Sequence, residues 1–299
     1  MPAGADALRL AELFWIMLAG SALVWGAVMG LAVLGPAAGL RLSPRAAKRL
    51  IIWGGAILPT AAVFATLIYG LIMISDLRAG GGALKISVSG EQYWWRVTYR
   101  RDDGSEVTTA NVLRLPRGER SELQLTSPDV IHSFWVPVLA GKLDMVPGRT
   151  NVLFVEPSET GSYRGQCAEF CGLSHAFMAF DVEVMEPQDF DAWLKAEAGD
   201  ALAPQSEEAR RGRDVFFAEG CNACHAIRGT QATSTLGPDL THVANRKMIG
   251  AGLLETSHES LKRWIRSAET LKPGNRMPSY GMLAPADLDA LAAYLRELK

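Results

Sequence analysis

Two long, uncharged apolar runs near the start of the chain constrain its fold more than any other feature. They cover residues 13–34 and 50–74. About 20 apolar residues span a bilayer as a helix, and in lipid such a run satisfies its own backbone hydrogen bonds only as a helix. The first run is too long for the apolar part of a signal peptide. Residues 1–82 are therefore predicted to form a transmembrane helical hairpin, with its second helix bent at Pro59.

The loop between the two runs predicts their orientation. It contains Arg41, Arg45, Lys48 and Arg49 but no acidic residue. Short loops rich in lysine and arginine stay in the cytoplasm. We therefore expect a protein of the bacterial inner (plasma) membrane with two spans. Both termini, and everything that follows Ile74, should lie on the periplasmic side.

Residues 83–194 have the pattern of a β domain. Short runs rich in β-branched and aromatic residues are separated by turn residues such as Pro147-Gly148. The clearest runs are residues 85–89, 95–99, 151–155 and 180–184. Short strands at this spacing predict an antiparallel sandwich or barrel.

A cluster of soft donor residues follows near the end of this segment. Cys167, Cys171, His175 and Met178 lie within twelve residues, and His132 can add a second imidazole from upstream. Thiolate, thioether and imidazole groups together favour copper, and two bridging thiolates can hold two copper ions close together. A redox-active dithiol and a zinc site are the alternatives, although methionine is a poor ligand for zinc.

The last third of the chain has the pattern of a small helical domain. Residues 195–205 are predicted to be a linker, and residues 206–299 a separate domain with helices at 207–219 and 285–298. Within it, Cys221-Asn-Ala-Cys224-His225 is the attachment sequence for a c-type haem. All four cysteines lie in the copper and haem motifs, so none is left for a structural disulfide.

The second axial ligand of this haem must come from downstream. Met277, in Arg276-Met277-Pro278, is the best candidate, because a thioether favours the reduced iron. Met248 and Met282 are its rivals. His242 and His258 are also possible iron ligands, although such histidines more often lie at the surface or in the core.

Four segments in order resemble the motifs of cytochrome c oxidase subunit II. They are residues 90–95 (GEQYWW), 127–134 (SPDVIHSF), 142–148 (KLDMVPG) and 167–178 (CAEFCGLSHAFM). The resemblance implies a cupredoxin fold with a binuclear CuA centre. By matching position, it implies these copper ligands: His132, Cys167, the backbone carbonyl of Glu169, Cys171, His175 and Met178. It also implies that the Glu169 carboxylate faces a magnesium ion at the boundary with subunit I.

The chain departs from this family pattern at two positions. Tyr93 stands where the family usually has the tryptophan that receives electrons from soluble cytochrome c, so Tyr93, Trp94 and Trp95 are all candidates for that role. At least one of the three is expected in the core, because strands alternate faces. The family often has a glutamate near the start of the second span, whereas residues 50–53 are apolar.

The C-terminal segment resembles a class I cytochrome c domain. Residues 237–240 (GPDL) match the loop in which the proline carbonyl holds the axial histidine. The whole chain thus resembles subunit II of a caa-type oxidase. The predicted architecture is a two-helix transmembrane hairpin, an all-β cupredoxin-like sandwich and an all-α class I cytochrome c domain.

This resemblance implies an electron relay within an oxidoreductase and proton translocase. Electrons would pass from a cytochrome c or cytochrome bc complex through haem c and CuA to haem in subunit I, with subunit III as a further partner. No catalytic residue is expected here, because the spans contain no histidine for an oxygen-reducing site. The alternatives are the equivalent subunit of a CuA-containing nitric oxide reductase, a quinol oxidase, a copper chaperone and a free-standing cytochrome carrier.

The charge distribution is consistent with two domains that dock on each other. The net charge of −2 gives no reason to expect a nucleic-acid partner. Residues 84–199 carry 11 basic and 17 acidic residues, whereas residues 206–299 carry 13 and 11. A weakly basic domain can be steered onto an acidic one. The alternative is that both are ordinary solvated surfaces.

Overall fold

The structure, a computed structural model, describes residues 1–39, 41–78, 80–82, 84–101 and 103–299. Ala83, the predicted start of the sandwich, lies outside the described residues. The chain forms two compact units. One is residues 8–80, and the other combines residues 1–7 with residues 81–299.

The first unit consists of the two predicted apolar helices. Helix α1 covers Ala5–Ala37, and the second span is built from α2 (Pro44–Ile52), a π-helical turn (Trp53–Ile57) and α3 (Leu58–Arg78). Both spans are long and apolar enough to cross a membrane. Nearly all residues in the most apolar stretch of each span are exposed. A core helix of a soluble protein would bury these side chains, so the exposure supports the predicted spans.

The π-helical turn lies directly before Pro59. The N–H of Leu58 donates to the carbonyl of Trp53, five residues back. Proline has no N–H to donate, and its ring crowds the carbonyl four residues earlier. A single π turn widens the helix locally and relieves this conflict. The disturbance expected at Pro59 therefore takes the form of a π turn within a continuous helix.

The second unit begins with a sandwich of two five-stranded sheets. In chain order the strands are β1 Leu84–Glu91, β2 Trp94–Arg100, β3 Glu106–Ala110, β4 Val112–Pro116, β5 Ser121–Thr126, β6 His132–Trp135, β7 Leu143–Met145, β8 Asn151–Val155, β9 Gly161–Cys167 and β10 Ala179–Met185. The first sheet has the order β3-β2-β1-β5-β8, and the second has the order β4-β10-β9-β6-β7. The predicted sandwich is confirmed.

The pairing within the sheets differs from the prediction in one respect. Strand β1 pairs with β5, and β4 with β10, in parallel. The expected all-antiparallel arrangement was therefore wrong for these two pairs. Their partners are far apart in the chain and joined by crossovers, whereas the local strand pattern reports only which face is buried.

Aromatic side chains fill the sandwich below the copper motif. Trp95 is fully buried, with its ring centroid 4.7 Å from that of Phe180 and 6.0 Å from that of Phe134. Gly165 leaves room for this cluster, because a Cβ there would lie 2.1 Å from the Phe180 ring. His132 borders the cluster, with its ring centroid 6.5 Å from that of Trp95. The core therefore supports the histidine from one side.

Helix α4 (Pro187–Glu197) follows the sandwich. Its Phe190 and Trp193 rings pack on Tyr99, at centroid distances of 6.0 and 5.1 Å. The predicted linker begins in the last turn of this helix, where Glu197 is buried.

The C-terminal segment is mainly helical, as predicted. It contains α5 (Glu207–Ala218), the short strands β11 (Met248–Ile249) and β12 (Leu254–Glu255), α6 (His258–Leu271) and α7 (Pro285–Glu297). Helices α5 and α7 confirm the helices expected at each end of the domain. They cross at Gly212, where a Cβ would lie 1.9 Å from the carbonyl oxygen of Ala290.

Candidate metal and haem sites

Five of the predicted copper donors meet at one end of the sandwich. Cys167 is the last residue of β9, and His132 is the first residue of the neighbouring strand β6. Phe134 of β6 pairs with Cys167, so His132 lies close to this cysteine. We call residues 171–178, which form most of the connection from β9 to β10, the copper loop. This loop returns Met178 beside Cys167, whose N–H donates to the Met178 carbonyl at 2.9 Å. The strand pairing therefore brings the distant histidine to the donors of the loop.

The donor atoms are spaced for metal binding. The sulfur atoms of Cys167 and Cys171 lie 3.9 Å apart, well beyond the 2.05 Å of a disulfide. His132 Nδ1 is 3.8 Å from the Cys167 sulfur, and His175 Nδ1 is 3.7 Å from the Cys171 sulfur. Met178 Sδ is 3.8 Å from the Cys171 sulfur. Two donors that share a metal at about 2.3 Å can lie up to about 4.6 Å apart, so the set fits soft metal ions.

Asp129 orients His132. Its Oδ1 lies 2.9 Å from His132 Nε2, which leaves Nδ1 facing the cysteine. The same carboxylate accepts the backbone N–H groups of Gln92 and Val130, each at 2.8 Å. A carboxylate on the far nitrogen of a histidine is the usual support for a metal ligand. The arrangement therefore presents a fixed imidazole nitrogen to the site.

The site favours a thiolate on Cys167. Its pKa is lowered to about 3, first by its hydrogen bond with Cys171 and further by His132. The same interaction with Cys167, together with burial, raises the pKa of Cys171. Metal ligands must be deprotonated, so a bound cation has to supply the charge that stabilises the second thiolate.

Glu169 and the three aromatic candidates occupy different environments. The Glu169 carbonyl oxygen lies 3.2 Å from the Cys167 sulfur, whereas its side chain is half-buried. Trp95 lies in the core, which agrees with the expectation that at least one aromatic residue packs there. Trp94 is half-buried with the Arg96 guanidinium stacked on it at 4.6 Å. Tyr93 is buried.

The haem-attachment residues are held at the end of α5. Cys221 begins a 3₁₀ turn and is half-buried, and Cys224 is exposed. His225 Nδ1 lies 2.8 Å from the carbonyl oxygen of Pro238, so its Nε2 is left for iron. Gly237 permits this approach, because a Cβ there would lie 2.9 Å from His225 Cε1. The cradle fits a covalently attached haem with one histidine ligand.

The rival iron ligands have other surroundings. Met277 packs against the core of the helical domain, whereas Met282 is 77% exposed and Met248 lies in β11. His242 Nε2 lies 3.2 Å from the carbonyl oxygen of Gly199, and His258 Nε2 lies 3.2 Å from Asp289 Oδ1. These contacts favour Met277.

Several residues that shape the copper site have no role assigned by the sequence motifs described above. Asp129 is one, and Gln92, whose side chain donates to the Cys171 carbonyl at 2.6 Å, is another. A carboxylate three residues before a predicted histidine ligand is a usable signal for the first. Nothing local marks Lys272, which is 2% exposed and lies against the copper loop.

The fold and these two sites define a protein with two candidate membrane spans, a soft-metal site and a c-type haem-attachment site. Residues 100–185 match the family model for the periplasmic domain of cytochrome c oxidase subunit II, and residues 209–299 match that for cytochrome c. The chain therefore joins a segment similar to the periplasmic domain of cytochrome c oxidase subunit II to a C-terminal segment similar to cytochrome c. These two domains imply copper and haem c as cofactors.

Curated relatives agree with this assignment. The chain is 41% identical to cytochrome c oxidase subunit 2 of Alkalihalophilus pseudofirmus over 75% of this chain and 64% of the relative. It is 33% identical to that of Bacillus sp. (strain PS3) over 76% and 65%. The chain thus spans slightly less than two thirds of these relatives. A crystal structure of the periplasmic domain of Bradyrhizobium japonicum oxidase subunit II is 30% identical, covers 40% of this chain and 95% of that one, and has a TM-score of 0.37.

Proposed function

We propose that this chain is the electron-transfer subunit of a haem-copper terminal oxidase. It would pass electrons from a cytochrome c donor through covalent haem c and binuclear CuA to haem in subunit I, where oxygen reduction is coupled to proton pumping. The observation that carries the proposal is the convergence of His132, Cys167, Cys171, His175 and Met178 in a chain that also has a haem-attachment motif. The chain itself would carry relay centres and no oxygen-reducing site.

The copper pair would be held by the five side chains above together with the Glu169 carbonyl. When bound, the copper pair and the haem each accept and release single electrons. The protein's part is to fix the donors. The two thiolates lie between the two histidines, Asp129 holds one imidazole in place, and the buried cysteines keep water away. A site that changes shape little between oxidation states suits a carrier.

The haem would be attached through Cys221 and Cys224, with His225 and Met277 as axial ligands. The Pro238 carbonyl orients the His225 ring. The N–H of Met277 donates to the side-chain oxygen of Asn275 at 2.8 Å, which holds the methionine loop in shape. Met277 packing against the domain core supports this pairing.

The partners follow from the same assignment. Subunit I would cover the Glu169 side of the sandwich, with a magnesium ion bound by its carboxylate, and subunit III would complete the complex. The half-buried Glu169 side chain is compatible with a shared site. The electron donor would be a cytochrome c or a cytochrome bc complex. Tyr93, Trp94 and Trp95 stay the candidates for where electrons reach the sandwich.

The membrane arrangement would place both termini on the periplasmic side of the inner membrane. Residues 1–7 support this orientation, because the Ala3 N–H donates to the Val138 carbonyl at 2.7 Å and the Ser158 N–H to the Ala3 carbonyl at 2.8 Å. The N terminus thus packs on the sandwich. The proposed domains are 1–82 for the hairpin, 83–194 for CuA, 195–205 for the linker and 206–299 for cytochrome c.

The test is metal analysis with optical and electron paramagnetic resonance (EPR) spectra of the complex extracted from membranes. We expect two coppers per chain in a mixed-valence centre, one low-spin c-type haem, and a-type haem from subunit I. Haem c without the copper pair would overturn the relay and favour a redox dithiol at Cys167 and Cys171. Both centres in a complex that reduces nitric oxide but not oxygen would replace the oxidase with the nitric oxide reductase alternative.

Removing the carboxylate that supports His132 should weaken copper binding. We expect Asp129→Ala to lower copper affinity by about 10- to 100-fold, because the imidazole loses the group that orients it. Titration of the copper-free protein against a competing chelator measures the change. The Asp129→Asn variant keeps an acceptor oxygen, so its copper affinity should fall by less than that of Asp129→Ala. Equal affinities for Asp129→Ala and the unsubstituted protein would contradict the assigned role.

A further inference from the structure

One loop of the cytochrome domain lies directly on the copper loop. We call residues 272–277, which follow helix α6, the Met277 loop. Ser174 of the copper loop donates its hydroxyl to the carbonyl of Pro273 at 2.7 Å. Gly274 packs against the same loop, since a Cβ there would lie 3.4 Å from the Leu173 side chain and from the Tyr93 hydroxyl. The segment carrying the proposed iron ligand therefore also contacts the segment carrying the copper ligands.

Lys272 makes a buried polar contact across the seam between the sandwich and the cytochrome domain. Its Nζ donates to the Phe177 carbonyl at 2.7 Å and to the Gly250 carbonyl at 2.8 Å. The first carbonyl belongs to the copper loop, one residue before Met178, and the second to the cytochrome domain. Only 2% of Lys272 is exposed. Burying an amine is unfavourable unless its protons are accepted, and the Phe177 and Gly250 carbonyls that accept them lie on opposite sides of the seam.

The position of Lys272 is linked to that of Met277 through Asn275. The Asn275 side chain donates to the Lys272 carbonyl at 2.7 Å and accepts the Met277 N–H at 2.8 Å. A second contact reaches the other end of the copper site, where Arg276 lies 3.5 Å from Asp129 Oδ2. The Met277 loop therefore contacts both the copper loop and the carboxylate that orients His132.

We propose that Lys272 is a positioning residue that clamps the Met277 loop onto the copper loop and holds the haem and copper sites in one docked arrangement. The inference rests on the proposed function. In the step that Lys272 would serve, the haem iron, when bound, would lose one electron and the copper pair would gain it, so that ferrous iron would become ferric. No bond breaks and no proton moves. Lys272 acts only by fixing the distance between the two loops.

The clamp has a consequence for the external donor. Gly274 of the cytochrome domain lies against the hydroxyl of Tyr93, and only 5% of Tyr93 is exposed. A soluble donor cannot reach this part of the sandwich while the clamp is closed. Electrons should therefore enter through the haem of the tethered domain.

The test compares Lys272→Met with Lys262→Met in the full-length chain within its complex. Lys262 is a matched control, because it lies on α6 and pairs with Glu259 and Asp289 of its own domain. After rapid reduction of the haem, we expect Lys272→Met to slow haem-to-copper transfer by about tenfold or more, since small misplacements have large effects on rate. Reduction of the haem by the external donor should keep its rate. Lys262→Met should match the unsubstituted chain in both steps.

Two structural readouts accompany the rates. Pulsed EPR should show a longer or broader haem-to-copper distance in Lys272→Met, and amide hydrogen exchange should speed up in residues 172–178 and 272–277. Transfer rate, distance and exchange equal to those of Lys262→Met would overturn the clamp. If Lys272→Met fails to retain its cofactors, the Ser174→Ala variant tests the clamp instead, because it removes the hydrogen bond to the Pro273 carbonyl across the seam. It should then raise exchange in both loops, and unchanged exchange would overturn the proposal.

These outcomes separate the clamp from the proposed function. An unsubstituted complex without the copper pair or the haem would refute the relay, and hydrogen exchange in the two loops would still report on the clamp. The clamp alone would be refuted by two results together. The unsubstituted complex would contain both centres and transfer electrons quickly between them, and the Lys272→Met variant would behave like the Lys262→Met control.

Discussion

Substituting Cys171 by serine should remove the copper centre and leave the haem intact. The Cys171 sulfur lies 3.7–3.9 Å from the nearest donor atoms of Cys167, His175 and Met178, so it contacts three of the other four side-chain donors. A serine hydroxyl is a hard, weakly acidic donor that copper does not favour at such a position. We expect copper affinity to fall by more than about 100-fold. Loss of a metal ligand should have a larger effect than loss of a group that only hydrogen-bonds to a ligand, which lowers affinity by about 10- to 100-fold. Metal analysis and the EPR spectrum measure the change.

The reciprocal substitution is the control. Cys224→Ser removes one of the two haem attachment points and should lower covalent haem while the copper spectrum persists. The two sites are built on different domains, so each variant should affect one centre. A Cys171→Ser protein that keeps two coppers and the mixed-valence signal would show that this sulfur is not a copper ligand.

The second large effect is expected where helices α5 and α7 cross. Gly212→Ala would place a Cβ 1.9 Å from the Ala290 carbonyl oxygen and 2.8 Å from Tyr294 Cβ. Backbone atoms cannot move aside as a flexible side chain does, so the helices must separate. We expect the free energy of unfolding of the cytochrome domain to fall by about 3 kcal/mol. The gain in helix propensity from glycine to alanine, about 1 kcal/mol, is too small to offset this.

Thermal unfolding followed at the haem absorbance measures this loss. For a domain of this size, about 3 kcal/mol lowers the melting temperature by about 12 °C or more. Gly281→Ala is the matched control, because its nearest neighbour would be the Arg266 carbonyl oxygen at 3.5 Å, an ordinary contact. Equal melting temperatures for the two variants would mean that the helix crossing tolerates a methyl group.

Much of the architecture could be predicted because its signals are local. The spans are continuous apolar runs, and the strands and the two end helices of the cytochrome domain have a periodicity that reports which face is buried. The copper loop and the haem-attachment motif each place most of their donors within a few residues. The parallel pairing of β1 with β5 and of β4 with β10 could not be predicted in this way, because register between distant strands depends on the closed sandwich.

The copper site shows the same division. Cys171, His175 and Met178 lie close in the chain, whereas His132 reaches them only because β6 pairs with β9. The sequence offers His132 as a possible second imidazole, and the resemblance to a known family implies that it is a ligand. The local sequence pattern does not show that His132 lies beside the cysteines. It also does not show that Asp129 supports this histidine, because that role depends on the orientation of the His132 ring in the folded sandwich.

The sequence by itself determined the apolar spans, the donor types and the haem attachment, because these follow from composition and short spacings. Only the tertiary structure decided which surfaces meet. Lys272 is an unremarkable residue in a turn after a helix, and its importance comes from two carbonyls, Phe177 and Gly250, that lie far away in the chain. A buried amine requires acceptors at fixed positions, and those positions exist only once both domains are folded and docked.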